Sequence, residues 1–143
     1  MTRAFGLLCL CLLVLGFGLH SQTVHAQEDP SIRTFWDKFR AAVINKDKHL
    51  VADLSRYPIT MPYGLRTVRT RAQLVKRYRE VFNHDSDAAI CFAEAKPVVD
   101  AARPNEFTVG CKNGDGAGDE VVIYSFIRTK AGWRFGGLDN LNE

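Results

Sequence analysis

The sequence is short of the residue patterns that announce a chemistry. It has four cysteines, and two of them, Cys9 and Cys11, lie in an N-terminal apolar run, which leaves Cys91 and Cys111 with no Cys-x-x-Cys. Beyond residue 26 there are only two histidines, His49 and His84, and neither stands at a ligand spacing from another His or Cys. A catalytic zinc site usually needs about three protein ligands, so no metal is expected. There is no Gly-x-Ser-x-Gly and no Cys-His arrangement, so covalent catalysis has no support in the sequence. After the first apolar run no second one approaches the ~20 residues of a membrane span. Internal repeats are absent, and Asn113 to Gly118 is the one compositionally biased stretch.

What is present begins with a leader. Arg3 supplies a positive start, Phe5 to Leu19 is almost unbroken apolar sequence, and Val24-His25-Ala26 offers small residues to a signal peptidase. Residues 1–26 therefore read as a signal peptide and 27–143 as one exported domain, periplasmic or secreted and not membrane-spanning. Cys91 and Cys111 are then the sole pair in an oxidising compartment, and a disulfide between them is expected.

The mature segment carries little net charge, but its charge is unevenly spread. From Gln27 to Arg79 there are 12 Lys and Arg against 5 Asp and Glu, whereas Glu80 to Glu143 has 6 against 11. Arg66, Arg69, Arg71, Lys76, Arg77 and Arg79 fall in one short stretch with no acid among them. Such a stretch is either a solvated helix face or a patch for an acidic protein, an anionic glycan or phospholipid head groups at an envelope surface. Arg66, Arg69, Lys76 and Arg77 are its candidate binding residues. Nucleic acid is not expected of an exported chain with so small a total charge.

Two periodicities divide the domain. Asp29-Pro30 has the chemistry of a helix start, and Ile32, Phe35, Trp36, Phe39 and Val43 recur on one face of the helix that follows. Asn45-Lys46 interrupts this pattern, and Asp47 can cap a shorter helix bearing Leu50, Val51 and Leu54. Tyr57-Pro58 opposes further helix, and Ile59 to Val68 reads as an irregular or edge-strand segment. Thr70-Arg71-Ala72-Gln73 matches a capping box at the head of a third helix, with Leu74, Val75, Tyr78, Val81 and Phe82 as its apolar face and Asn83 as its stop. The segment around Ile90 to Phe92 is compatible with helix or strand. Beyond it the period falls to two: Pro97–Ala101, Glu106–Lys112, Glu120–Arg128 and Trp133–Leu138 are short β-rich runs separated by turns, as in an antiparallel meander. Val121 to Ile127, apolar on both faces, should be a central strand. The pattern is α+β, with N-terminal helices packed on a curved antiparallel β-sheet.

Phe35-Trp36-Asp37-Lys38-Phe39-Arg40-Ala41-Ala42-Val43, then Asp47, then Val51 to Pro58, resembles the opening helix pair of small exported proteins of the nuclear transport factor two-like superfamily, with its SnoaL-like members. Lys130-Ala131-Gly132-Trp133-Arg134-Phe135 is similar to that superfamily's closing hairpin. The resemblance implies a cystatin-like cone, a bent sheet around a long helix with a pocket in its mouth. Such cones host isomerases, hydrolases, dehydratases and members with no chemistry, so fold alone does not choose among them.

For acid–base work the residues to consider are Tyr57, Tyr63, His84, Tyr124, Arg134 and Asp139, of which Tyr57, Tyr63, Tyr124 and Asp139 are the catalytic candidates; each also has an ordinary structural role. Asp115, Asp119 and Glu120 lack the regular spacing of a calcium loop. The expectation is a non-enzymatic binding or interaction domain for a small ligand or protein partner, needing no cofactor and allowing a homodimer. The alternative is a cofactor-independent isomerase or hydratase working inside the cone. Convergence of two or more of Asp53, Tyr57, Tyr63, Tyr124 and Asp139 in a deep pocket would favour the enzyme, and a cone filled by apolar rings would favour binding at the surface.

Overall fold

The computed structural model describes residues 29–61, 67–84, 86–112 and 121–140. The leader, Tyr63, Arg66 and the Asn113–Glu120 loop lie outside the described residues.

The first helix, α1 (Pro30–Ile44), starts as its sequence dictates: Pro30 occupies the first turn, and the Asp29 carboxylate accepts from the Ser31 amide. Its apolar stripe is buried at Ile32, Trp36, Phe39, Ala42 and Val43. The chain reverses through Lys46, which adopts a left-handed φ of 55°. The second helix, α2 (Lys48–Asp53), is capped by Asp47, whose carboxylate accepts from the Leu50 amide.

The first strand, β1 (Ser55–Thr60), follows with hardly a break, and Ile59 bridges to Val68. Thr70 caps α3 (Arg71–Lys76) by accepting from the Gln73 amide. The reciprocal half of the capping box differs from expectation: the Gln73 side chain accepts from the Arg69 amide, one residue further out. The third helix also divides, since the Glu80 amide donates to the Arg77 carbonyl in a tighter three-residue turn and α4 (Tyr78–Phe82) continues beyond it. The undecided segment is helical: α5 (Ala88–Glu94) is capped by Asp87, which accepts from the Ala89 and Ile90 amides.

Four strands follow: β2 (Val98–Val99), β3 (Glu106–Lys112), β4 (Val121–Thr129) and β5 (Gly132–Asn140). They form the expected antiparallel meander, with β4 in its interior. The sheet as a whole is mixed, because β1 joins β5 in parallel and the spatial order is β1-β5-β4-β3-β2. This corrects the expectation of a wholly antiparallel sheet. The parallel partner comes from the far end of the chain, which local periodicity does not register.

On β5, Trp133 and Phe135 face inward, and so do Leu138 and Asn140, so the alternation slips by one residue. The slip is a bulge, since Ser125 pairs with Gly137 and Phe126 with Phe135, leaving Gly136 as the extra residue. A Cβ at Gly136 would stand 3.0 Å from the end of the Ile127 side chain and 3.4 Å from that of Arg56, so a larger residue there would have to push both aside. Bulges bend a sheet, and this one lies where β5 turns toward β1.

The buried faces of β3, β4 and β5 close on α1. Phe39 is fully buried, with the rings of Phe126, Phe135 and Phe35 centred 5.0, 5.6 and 5.9 Å away. Two ties hold the layers. The Cys91–Cys111 disulfide joins α5 to β3, and closing that loop contributes about 3 kcal/mol on a chain-entropy estimate. At the head of α1, Ser31 accepts from the Trp133 indole at 2.9 Å and from Arg128, which also pairs with Asp29 at 2.9 Å. Those contacts hold the Asp29 carboxyl below its ordinary range, chiefly the hydrogen bonds from Ser31 and then the Arg128 charge.

Candidate functional site

The resemblance implies a pocket between the helices and the sheet, and buried rings pack in that space. Tyr124, from the middle of β4, is 1 % exposed. It lies parallel to Phe82 at 5.9 Å and edge-on to Phe92 at 4.9 Å, with its hydroxyl 3.1 Å from the buried Ser86 Oγ. The hydroxyl is therefore satisfied within the core, in the way buried tyrosines usually are.

The other catalytic candidates do not join it. Tyr57 is half-buried on β1, and its hydroxyl donates to the Ala52 carbonyl at 2.9 Å, closing the end of α2. Burial pushes its phenol up from the ordinary value. Asp139 is exposed, and since Leu138 and Asn140 beside it face the core, its side chain points to the outer face of the sheet. There it borders a shallow hollow with Thr60, Glu106 and Ser125. Asp53 is tied to Arg71 at 2.6 Å on the surface. Arg134 donates to the Trp133 carbonyl, and His84 is exposed. Among the described residues, Asp53, Tyr57, Tyr124 and Asp139 do not converge in one pocket, and no cluster of three or more His, Cys, Asp or Glu side chains is placed to hold a metal.

The basic residues do assemble. A surface groove of about 640 Å³ runs between the α1–α2 turn and the α3–α4 pair, and among the described residues it is lined by Lys46, Lys48, Lys76, Arg77, Arg79 and a single acid, Glu80. Its apolar side is made by Val75 and Tyr78. Each cation reaches the groove for a local reason. Lys46 is presented by its left-handed turn, and Lys48 by the first turn of α2. Lys76 and Arg79 lie off the buried stripe of Leu74, Tyr78, Val81 and Phe82. Arg77 sits where the helix tightens, with its side chain 18 % exposed and its Nε 2.7 Å from a Glu80 carboxylate oxygen. Tyr78 is buried beneath, donates to the Val43 carbonyl at 3.3 Å, and has its phenol pushed up to about 12 by burial and by the charges of Asp47 and Asp87.

Lys76 and Arg77, both singled out from sequence, thus share one groove. Arg69 does not line it, and Arg71 is engaged with Asp53 across α2 and α3. Lys46 and Lys48 escape a reading along the chain, because they come from a turn packed against the basic stretch. The bias of the N-terminal half toward Lys and Arg is the signal that could have drawn them in.

No protein-family model matches the sequence, and comparison with curated proteins finds no match. Among solved structures, the chain is similar in fold to NTF2-like proteins. One is an NTF2-like protein with a cystatin-like fold from Novosphingobium aromaticivorans, at 18 % identity over 79 % of this chain and 81 % of that one, with a TM-score of 0.43. A second is a proposed dehydratase of the NTF2-like family from Streptomyces avermitilis, at 15 % identity over 78 % and 92 %, TM-score 0.45. A third is a proposed ketosteroid isomerase from Shewanella frigidimarina, at 9 % identity over 78 % and 95 %, TM-score 0.44. Those activities belong to those proteins.

Proposed function

We propose that this chain is an exported, non-enzymatic binding domain that holds an anionic partner, an acidic protein or a small acidic ligand, in the groove between the α1–α2 turn and α3–α4. One observation carries the reading: five cations from separate segments line one groove in which, among the described residues, there is one acid. A surface so biased attracts negative charge and steers its approach. The Cys91–Cys111 bridge supports export, since such bonds persist in oxidising compartments. The alternative, an isomerase or hydratase inside the cone, is disfavoured by an interior occupied by Phe39, Phe82, Phe92, Tyr124, Phe126 and Phe135, all buried.

The test compares two triple reversals of equal charge, Lys48→Glu/Lys76→Glu/Arg79→Glu in the groove and Lys38→Glu/Lys112→Glu/Lys130→Glu away from it. Binding to a labelled octaglutamate peptide at low salt should fall more than about tenfold in the groove variant and only about twofold in the control. Equal losses in the two variants would mean that net charge alone governs binding, and would overturn the assignment.

A further inference from the structure

A basic groove alone leaves the chemical class of the partner open, and the Arg77–Glu80 pair narrows it. Arg77 is the less exposed of the two at 18 %, held against the groove wall, while Glu80 is 50 % exposed and reaches back from the next turn. Their contact at 2.7 Å puts a carboxylate of this chain at the most enclosed cation of a groove otherwise lined by Lys46, Lys48, Lys76 and Arg79. A guanidinium already engaged by a carboxylate displays the geometry that an incoming carboxylate would adopt.

The other cations come from two segments, the α1–α2 turn and the α3–α4 pair, and are exposed along an open groove. A single small anion there would meet solvent-screened charges one at a time, each contact weak. A run of carboxylates on one chain meets several in series, and each added contact follows at a raised effective concentration. Val75, partly exposed in the groove wall, adds an apolar surface against which the methylenes of acidic side chains can lie.

Resting on the proposed binding role, we infer that the groove takes an extended acidic peptide segment, and that Glu80 is an internal competitor whose carboxylate leaves Arg77 when a carboxylate of the partner arrives. The competition is electrostatic and conformational, with no covalent step. Glu80 thereby sets the affinity and favours partners with several acids in a row over those with one.

The experiment measures binding of labelled octaglutamate to wild type and to Glu80→Gln, with inorganic phosphate and free glutamate as competitors. The substitution keeps the side-chain length and removes the Glu80 charge from beside Arg77. The peptide should bind Glu80→Gln about twofold to fivefold more tightly at low salt, the gain shrinking as salt is raised. Control replacement of an acid away from the groove, Glu94→Gln, should leave the affinity within about twofold. Phosphate and free glutamate should displace the peptide only at concentrations that screen charge generally. Affinity unchanged or weakened in Glu80→Gln, or raised as much in Glu94→Gln, overturns the competitor role while leaving the groove assignment standing. Equal displacement by phosphate at low concentration overturns the peptide class. Failure of octaglutamate to bind either protein overturns the binding reading beneath both.

Discussion

Truncation of Phe39 to Ala probes whether the cone is filled. Phe39 is fully buried in the middle of α1, with the rings of Phe35, Phe126, Phe135, Phe82 and Phe92 centred between 5.0 and 6.4 Å away. Removing such a ring costs about 3–5 kcal/mol through lost transfer energy and the cavity left behind. A domain of this size is stable by about 5–15 kcal/mol, so a fifth or more of its margin would go. In thermal unfolding followed by circular dichroism, the midpoint should fall by about 10–25 °C. In urea, the transition midpoint should drop with the slope unchanged, since the same surface is exposed on unfolding. A Phe39→Ala variant within about 1 kcal/mol of wild type would show that the ring borders an open space, and a ligand site inside the cone would return to consideration.

Two further predictions concern single groups. Intact mass with and without reduction should differ by the two hydrogens of the Cys91–Cys111 bridge, and Cys91→Ala/Cys111→Ala should lose about 3 kcal/mol in denaturant titration; two free thiols in protein recovered from an oxidising compartment would refute the pairing. Tyr78 ionises in the unfolded chain near its ordinary value but in the fold only at about 12, so the stability it contributes is present below the ordinary value and is lost as pH rises through about 12. Replacing Tyr78 with Phe should flatten the alkaline fall in stability between those two values, and an unchanged pH profile would show that the phenol is not held neutral by the fold.

Capping chemistry made the first three helices legible. Asp29, Asp47 and Thr70 each accept from an amide two or three residues on, a local event that four residues of sequence encode. Period-two alternation likewise located β3, β4 and β5. The parallel pairing of β1 with β5 was not legible, because Ser55 and Phe135 meet only once the whole domain has folded. The character of α5 was ambiguous because Ala-Ala-Ile-Cys-Phe is too short for its period to declare itself. The site divides in the same way. Lys76 and Arg77 stand out along the chain, but their joining with Lys46 and Lys48 depends on how α2 packs beside α3. Tyr57, Tyr124 and Asp139 have the right chemistry for catalysis, and only the tertiary structure shows them on a strand edge, in the core and on the outer sheet face.

The central claim is that binding occurs in the groove and not in the cone. Amide chemical-shift mapping of the ¹⁵N-labelled protein during titration with octaglutamate tests it most directly. Shifts should concentrate at Lys46 and Lys48, from Val75 to Glu80 and at Asn83, the described residues that line the groove. Shifts centred on Tyr124, Phe126 and Phe135 in the core, with the groove amides unmoved, would contradict it.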